Sequence, residues 1–277
     1  MDIGKRAGAA LCLLLCFAAS AALAAKTTVP TPDHVVIVLE ENHSYSDIIG
    51  SPQAPYINAL AQSGALFTNS HAIEHPSEPN YLDLFSGANQ GIHDDSCPHT
   101  FTVDNEGSEL IAAHLSFAGY SEGLPAKGSQ VCTYGKYARK HAPWTNFSNL
   151  PANTNLPYTK FPKKFDKLPT VSWVIPNLDD DMHDGTIQQG DTWLQNNLSA
   201  YVAWAQAHNS LLIVTWDEDD GSQSNQIATI FVGPMVKPGQ YGESITHYTL
   251  LRTIEAMYGL TPLGNSANVK PIRDVWQ

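Results

Sequence analysis

The stretch LLIVTWDEDDG, residues 211–221, runs from an apolar segment straight into four consecutive acids. Its first six residues show no alternation, the pattern of a strand buried on both faces of a mainly parallel sheet. The acids then lie just past a strand's carboxyl end, the edge of an open α/β sheet at which ligands bind. Three more runs share this character: 34–39 (HVVIVL), 170–175 (TVSWVI) and Gln226–Val232 (QIATIFV). Helical periodicity falls between them, over 54–62, 108–118, 191–208 and His247–Tyr258, the last closed by Gly259 as a C-cap. This order predicts an α/β fold, a three-layer α/β/α sandwich with a mainly parallel central sheet. Residues 96–168 are rich in Pro, Lys, Tyr and Trp and weakly periodic, and read as long loops with an insertion over the sheet.

Two of the other runs also end in acids. Residues 34–39 lead into Glu40, Glu41 and Asn42, and 170–175 lead through Pro176-Asn177-Leu178 into Asp179-Asp-Asp-Met-His-Asp184. Acidic turns after strands are common one at a time. Three in register, with histidines nearby, repel one another unless a cation neutralises them, so the pattern calls for a divalent metal. An EF-hand is excluded, because Gly221 stands where that loop needs its third oxygen ligand. Asp179 and His183, four residues apart, could share one face of a short turn.

The chain opens with a basic start (MDIGKR), an apolar run (AGAALCLLLCFAAS) and a small-residue cleavage pattern, Ala22-Leu23-Ala24. Residues 1–25 therefore read as a secretory signal peptide, and the apolar run is shorter than the roughly 20 residues of a spanning helix. The expected product is a secreted or periplasmic monomer made of one domain, 26–277, with no membrane insertion. Loss of Asp2, Lys5 and Arg6 takes the formal charge from −12 to −13, which argues against nucleic acid and against non-specific attraction to anionic surfaces. Two cysteines remain, Cys97 and Cys132; in an oxidising compartment they are expected to form a disulfide, and they lack the tight spacing of a zinc site.

Ser77, in Glu74-His-Pro-Ser-Glu-Pro-Asn-Tyr81, precedes a helical run that ends at Gly87. A serine there is ordinarily an N-cap. The same position offers free N–H groups and the positive end of the helix dipole to an anion such as phosphate. The basic stretch Gly135-Lys-Tyr-Ala-Arg-Lys-His-Ala-Pro-Trp144 would supply local positive potential for such a ligand, through Lys136, Arg139, Lys140 and His141. A second basic stretch, 160–167, could share this role, although it has the spacing of an exposed loop.

HVVIVLEENHS, HPSEPNYLDLFSG, PTVSWVIPN with DMHDG, GDTWL, VTWDEDDG and HYTLLRTIEAMYGL together resemble the bacterial phosphoesterase family of secreted acid phosphatases and phospholipases C, within the alkaline phosphatase superfamily. The resemblance implies an alkaline-phosphatase-like fold and hydrolysis of a small-molecule or lipid phosphate monoester. It implies Ser77 as nucleophile, Glu41, Asn42, Asp217 and Glu218 as metal ligands, and Asn42 also touching phosphate. It puts Asp179, His183 and His247 where the superfamily keeps a second metal group. Asp217-Glu218 departs from the Asp-His usual late in the sheet, so one cation or two remain open, and with one the histidines, His183 and His247, would bind phosphate or carry protons. The competing readings are a phospholipase C-type diesterase and a non-catalytic metal- or anion-binding protein; loss of the hydroxyl or of the acidic pairs would mark the latter, and neither is lost.

Overall fold

The computed structural model describes residue 1 and residues 28–277, so the signal-peptide expectation lies outside the described residues. Among the described residues the α-helices are α1 (Tyr45–Ile48), α2 (Pro55–Ser63), α3 (Ser77–Ser86), α4 (Glu106–Ala112), α5 (Ile187–Ala205) and α6 (His247–Tyr258). The strands are β1 (His34–Glu40), β2 (Ala65–His71), β3 (Phe117–Ser121), β6 (Asn155–Pro157), β7 (Val171–Ile175), β8 (Ser210–Trp216), β9 (Gln226–Val232), β10 (Gly239–Tyr241) and β11 (Ile245–Thr246), with a small separate hairpin of β4 (Thr133–Tyr134) and β5 (Tyr137–Ala138).

The main sheet runs β10-β2-β9-β8-β1-β7-β3-β6, with β11 also on β2. Every pairing in it is parallel except those of β9, which lies antiparallel between β2 and β8. Side-chain alternation along β1 divides the core in two. Val35, Ile37 and Leu39 face a cluster closed by α3, α4 and α6, while Val36 and Val38 face one closed by α2 and α5. The three-layer α/β/α sandwich expected from the strand pattern is the fold observed.

Two expectations are corrected. The helix read over 108–118 stops at Ala112; His114 turns the chain at φ 60° and Phe117–Ser121 becomes β3, inside the sheet. Its Gly119 lies under Trp144, where a Cβ would come within 2.1 Å of the indole ring, so this strand is held by tertiary packing that no local pattern announces. Residues 96–168 are also more than an insertion, since they contribute β3 and β6 to the main sheet. The expected disulfide joins Cys97 to Cys132 within this section.

At the centre of one core layer, Trp173 Nε1 donates to Glu106 Oε2 at 2.9 Å. Burial pushes the Glu106 carboxyl up to about 8, with the Trp173 hydrogen bond opposing and Glu255 adding to the rise. The folded protein thus keeps this proton to about pH 8, whereas the unfolded chain loses it near 4.5. Stability from this group is complete below the unfolded value and is lost as pH rises through that window, at up to about 1.4 kcal/mol per pH unit. Glu106→Gln is expected to flatten the decline of urea-unfolding free energy between pH 5 and 8. An equal decline in wild type and variant would refute the assignment.

Candidate active site

Register brings the acids together. Glu40 pairs with Trp216 across β1 and β8, so Glu41 and Asp217 leave adjacent strands side by side. Asp217 N–H donates to Glu40 O at 3.1 Å and Glu41 N–H to Asp181 O at 2.8 Å, tying the ends of β1 and β8 to the loop after β7. Asn42, turned to φ 51°, donates its own N–H to Asp217 Oδ1 at 3.2 Å and its amide to Glu41 Oε2 at 3.2 Å.

Ser77 opens α3 directly over this edge, and Gly87 at φ 72° closes that helix. Its Oγ lies 3.1 Å from Glu41 Oε2 and 3.0 Å from Glu218 Oε1, and the side chain is almost wholly buried. A hydroxyl has one proton to donate, so it can satisfy only one of these two carboxylates. Around Glu41 the packing is equally close: Tyr81 O–H donates to Oε1 at 2.5 Å, and His141 Nε2 sits 2.9 Å from the same oxygen. The His141 ring stacks on Tyr81, with centroids 5.1 Å apart, and its Nδ1 is 3.2 Å from Asp181 Oδ2.

Glu41, His141 and Asp181 offer donor atoms all within 4.8 Å of one another, and all three are buried. His141 Nε2, Asp181 Oδ2, Asp217 Oδ2 and Glu218 Oε2 are buried without a hydrogen bond of acceptable geometry. Close oxygen and nitrogen donor atoms in a buried pocket of carboxylates fit the coordination needs of a divalent cation. The protonation pattern agrees. Burial would raise Glu41, but His141, Tyr81 and Lys140 outweigh it and hold the carboxyl at about 2. Burial would lower His141, but Glu41 and Asp181 raise it to about 9. Asp217 is pushed well up by burial and by Glu41 and Glu218. Glu218 rises to about 7 through burial and Glu41, against the opposing charge of His75. Protons and an imidazolium thus balance charge that a dication can balance instead.

The structure sorts the sequence candidates. Glu41, Asn42, Ser77, His141, Asp217 and Glu218 converge. Asp179 does not; it pairs with Lys136 at 2.6 Å, while Asp181, two residues on, is buried beside His141. His183 stands at the rim, its ring 6.0 Å from that of His141, with Nδ1 2.8 Å from Asp184 and Asp184 held in turn by Lys136 at 3.0 Å. His141, read as part of a capture surface, lies inside the metal-donor triad.

Arg139 is buried and spends its guanidinium on Thr145, Gln130 O and His99 O, so it braces the fold and cannot reach a substrate. Lys140 holds Asp95 at 2.7 Å, and Asp95 accepts the Glu78 N–H at 3.0 Å; with Pro79 lacking a donor, the start of α3 has fewer free N–H groups than expected. His247 is buried, its Nε2 lies 2.7 Å from Asp217 O, and burial pushes its pKa down to about 4. Sequence reasoning missed Tyr81, Asp181 and His75, the last with Nδ1 2.5 Å from Glu218 Oε2 and Nε2 3.3 Å from Asp219 Oδ1. His75 and Tyr81 stand in the same short segment as Ser77, the one signal that could have found them.

A hydroxyl at a helix start faces metal-donor acids at the carboxyl edge of a mostly parallel sheet, and comparison with known proteins makes the chain a hydrolase of phosphate esters. The chain belongs to the Phosphoesterase family, which it matches over residues 51–261. It is 54% identical over 255 residues to the phosphatidylinositol-3-phosphatase of Mycobacterium tuberculosis, across 91% of this chain and 85% of that protein. It is 29% identical over 245 residues to an acid phosphatase of Aspergillus fumigatus, covering 81% of this chain and 54% of that one, about half the fungal protein's length. A solved protein of the alkaline phosphatase superfamily from Vibrio parahaemolyticus shares the fold with a TM-score of 0.61 at 12% identity, over 89% of this chain and 72% of that chain.

Proposed function

We propose that this phosphatase acts on phosphate monoesters, a phosphoinositide carrying a 3-phosphate among them, with Ser77 as nucleophile. The observation that carries the reading is the Ser77 hydroxyl, fixed between Glu41 and Glu218 over the metal-donor acids. When bound, a divalent cation supplies a lowered hydroxyl pKa and charge neutralisation on phosphate oxygens. Glu41, Asp217 and Glu218, with His141 and Asp181, would hold one such cation, and Asn42 supplies a side-chain amide beside them. Ser77 Oγ attacks phosphorus and its proton passes to one of the carboxylates it already faces. The bond from phosphorus to the leaving oxygen breaks, and that oxygen takes a proton from His183, which Asp184 and Lys136 hold at the rim. Water then hydrolyses the phosphoserine, releasing inorganic phosphate and restoring the hydroxyl.

The lipid substrate is supported by the 54% identical relative, named as a phosphatidylinositol-3-phosphatase. Export is supported by the basic, apolar and small-residue order of the first 25 residues, and by the disulfide; no helix of the described residues is long and apolar enough to cross a membrane. The test compares inorganic phosphate released from a chromogenic monoester and from phosphatidylinositol 3-phosphate with phosphorylated headgroup released from phosphatidylcholine. Phosphate release from both monoesters is expected. Headgroup release alone would replace this reading with a diesterase.

A further inference from the structure

We propose that the strap of residues 158–167 docks the protein on an anionic lipid bilayer; the inference rests on the lipid reading above. β6 runs parallel to β3, so its carboxyl end at Pro157 opens on the same sheet edge as the loops that carry Glu41, Asp181 and Asp217. The strap starts there and is pinned from beneath by aromatic packing. Tyr158 stacks on Phe161 at 5.4 Å, Phe161 meets Tyr120 edge-on at 5.2 Å, and Phe165 meets Tyr201 at 5.5 Å. With its rings turned inward, the strap presents Lys160, Lys163, Lys164 and Lys167 to solvent.

Those four lysines are out of keeping with the rest of the surface. They are four of 15 basic residues in a chain of net charge −12, gathered within eight positions. Lys136 and Lys140 are taken up by aspartates at 2.6 Å and 2.7 Å, whereas Lys160, Lys163 and Lys164 have no acidic partner among the described residues. Lys167 has only its exposed neighbour Asp166, at 3.3 Å. Lys127, Lys237 and Lys270 are exposed without an acidic partner too, but each stands singly in the sequence. The strap is the dense run of such lysines on an otherwise acidic body, and it favours approach to a negative surface by that face, which orients the protein as well as holding it.

The surface beside the strap suits a bilayer more than a soluble anion. An apolar groove of about 490 Å³, floored by Tyr158, Phe161 and Phe165, separates the strap from α5. At Asn196 and Asn197 it passes into a polar depression of about 410 Å³ that reaches Asp180, next to the triad's Asp181. Aromatic and lysine side chains side by side match the boundary between acyl chains and charged headgroups.

The experiment uses the mature chain and sucrose-loaded vesicles of phosphatidylcholine, with and without one-third phosphatidylglycerol. Wild type is expected to sediment with the anionic vesicles only and to be released by salt. The triple variant Lys160→Gln, Lys163→Gln, Lys164→Gln is expected to lose roughly a hundredfold in partition. Its turnover of a water-soluble monoester stays at the wild-type value, while turnover of a vesicle-embedded phosphomonoester falls with binding. Equal sedimentation with neutral and anionic vesicles, or unchanged partition of the triple variant, overturns the proposal. Absence of phosphate release from vesicle lipid by wild type that binds and cleaves the soluble ester would instead remove the lipid reading.

Discussion

Ser77→Ala is expected to lower turnover of a phosphomonoester on the order of 10⁴-fold or more, with the protein still folded. The substitution deletes the atom that forms the bond to phosphorus, and the remaining site can only bind the ester. Its structural effect is small by comparison. The hydroxyl is one donor to Glu41 and Glu218, and Tyr81, Asn42 and His75 still reach those carboxylates. Melting temperature is therefore expected to stay close to wild type, which separates loss of chemistry from loss of fold. A phosphoenzyme trapped by acid quench should form on the wild type and be absent from the variant. Undiminished turnover by Ser77→Ala would take this serine out of the mechanism.

Removal of divalent cations is the second large effect. Chelation is expected to reduce turnover by roughly two orders of magnitude or more, with recovery on adding a cation back. A readout independent of activity follows from linkage: a ligand that binds only the folded state at a hundred times its Kd adds about 2.7 kcal/mol, so the melting temperature rises with cation concentration. Glu41→Gln should abolish that rise. Tyr81→Phe should weaken it, because Tyr81 donates to Glu41 from behind and such supporting contacts are worth roughly 10–100-fold in metal affinity. A chelated sample that is metal-free by elemental analysis yet fully active would refute the cation assignment.

How far the site was legible can be followed residue by residue. Glu41 and Asp217 were readable because each directly follows a buried strand, and adjacent parallel strands in register deliver the next residues side by side. Ser77 was readable from the helical run behind it. Asp181 was not, because three aspartates in a row give no local sign of which points inward, and its inward place shows only in its contact with His141, distant in the chain. His141 looked like part of a basic surface patch until the turn that carries it folded under Tyr81. Arg139, two positions away, looked no different and is committed to structural hydrogen bonds. β3 was read as the end of a helix because its strand conformation depends on β7 beside it and Trp144 above it.

By itself the amino-acid sequence determined the layered sheet and the acidic edge, since buried strands and the turns that end them are written in hydrophobic runs only a few residues long. It likewise determined the family, whose motifs are contiguous. Tertiary structure alone decided which acid and which histidine complete the donor set and whether each lysine is paired or free. Those outcomes depend on loop backbone angles and on partners distant in the chain, such as Asp181 for His141 and Asp95 for Lys140, and no local pattern encodes them.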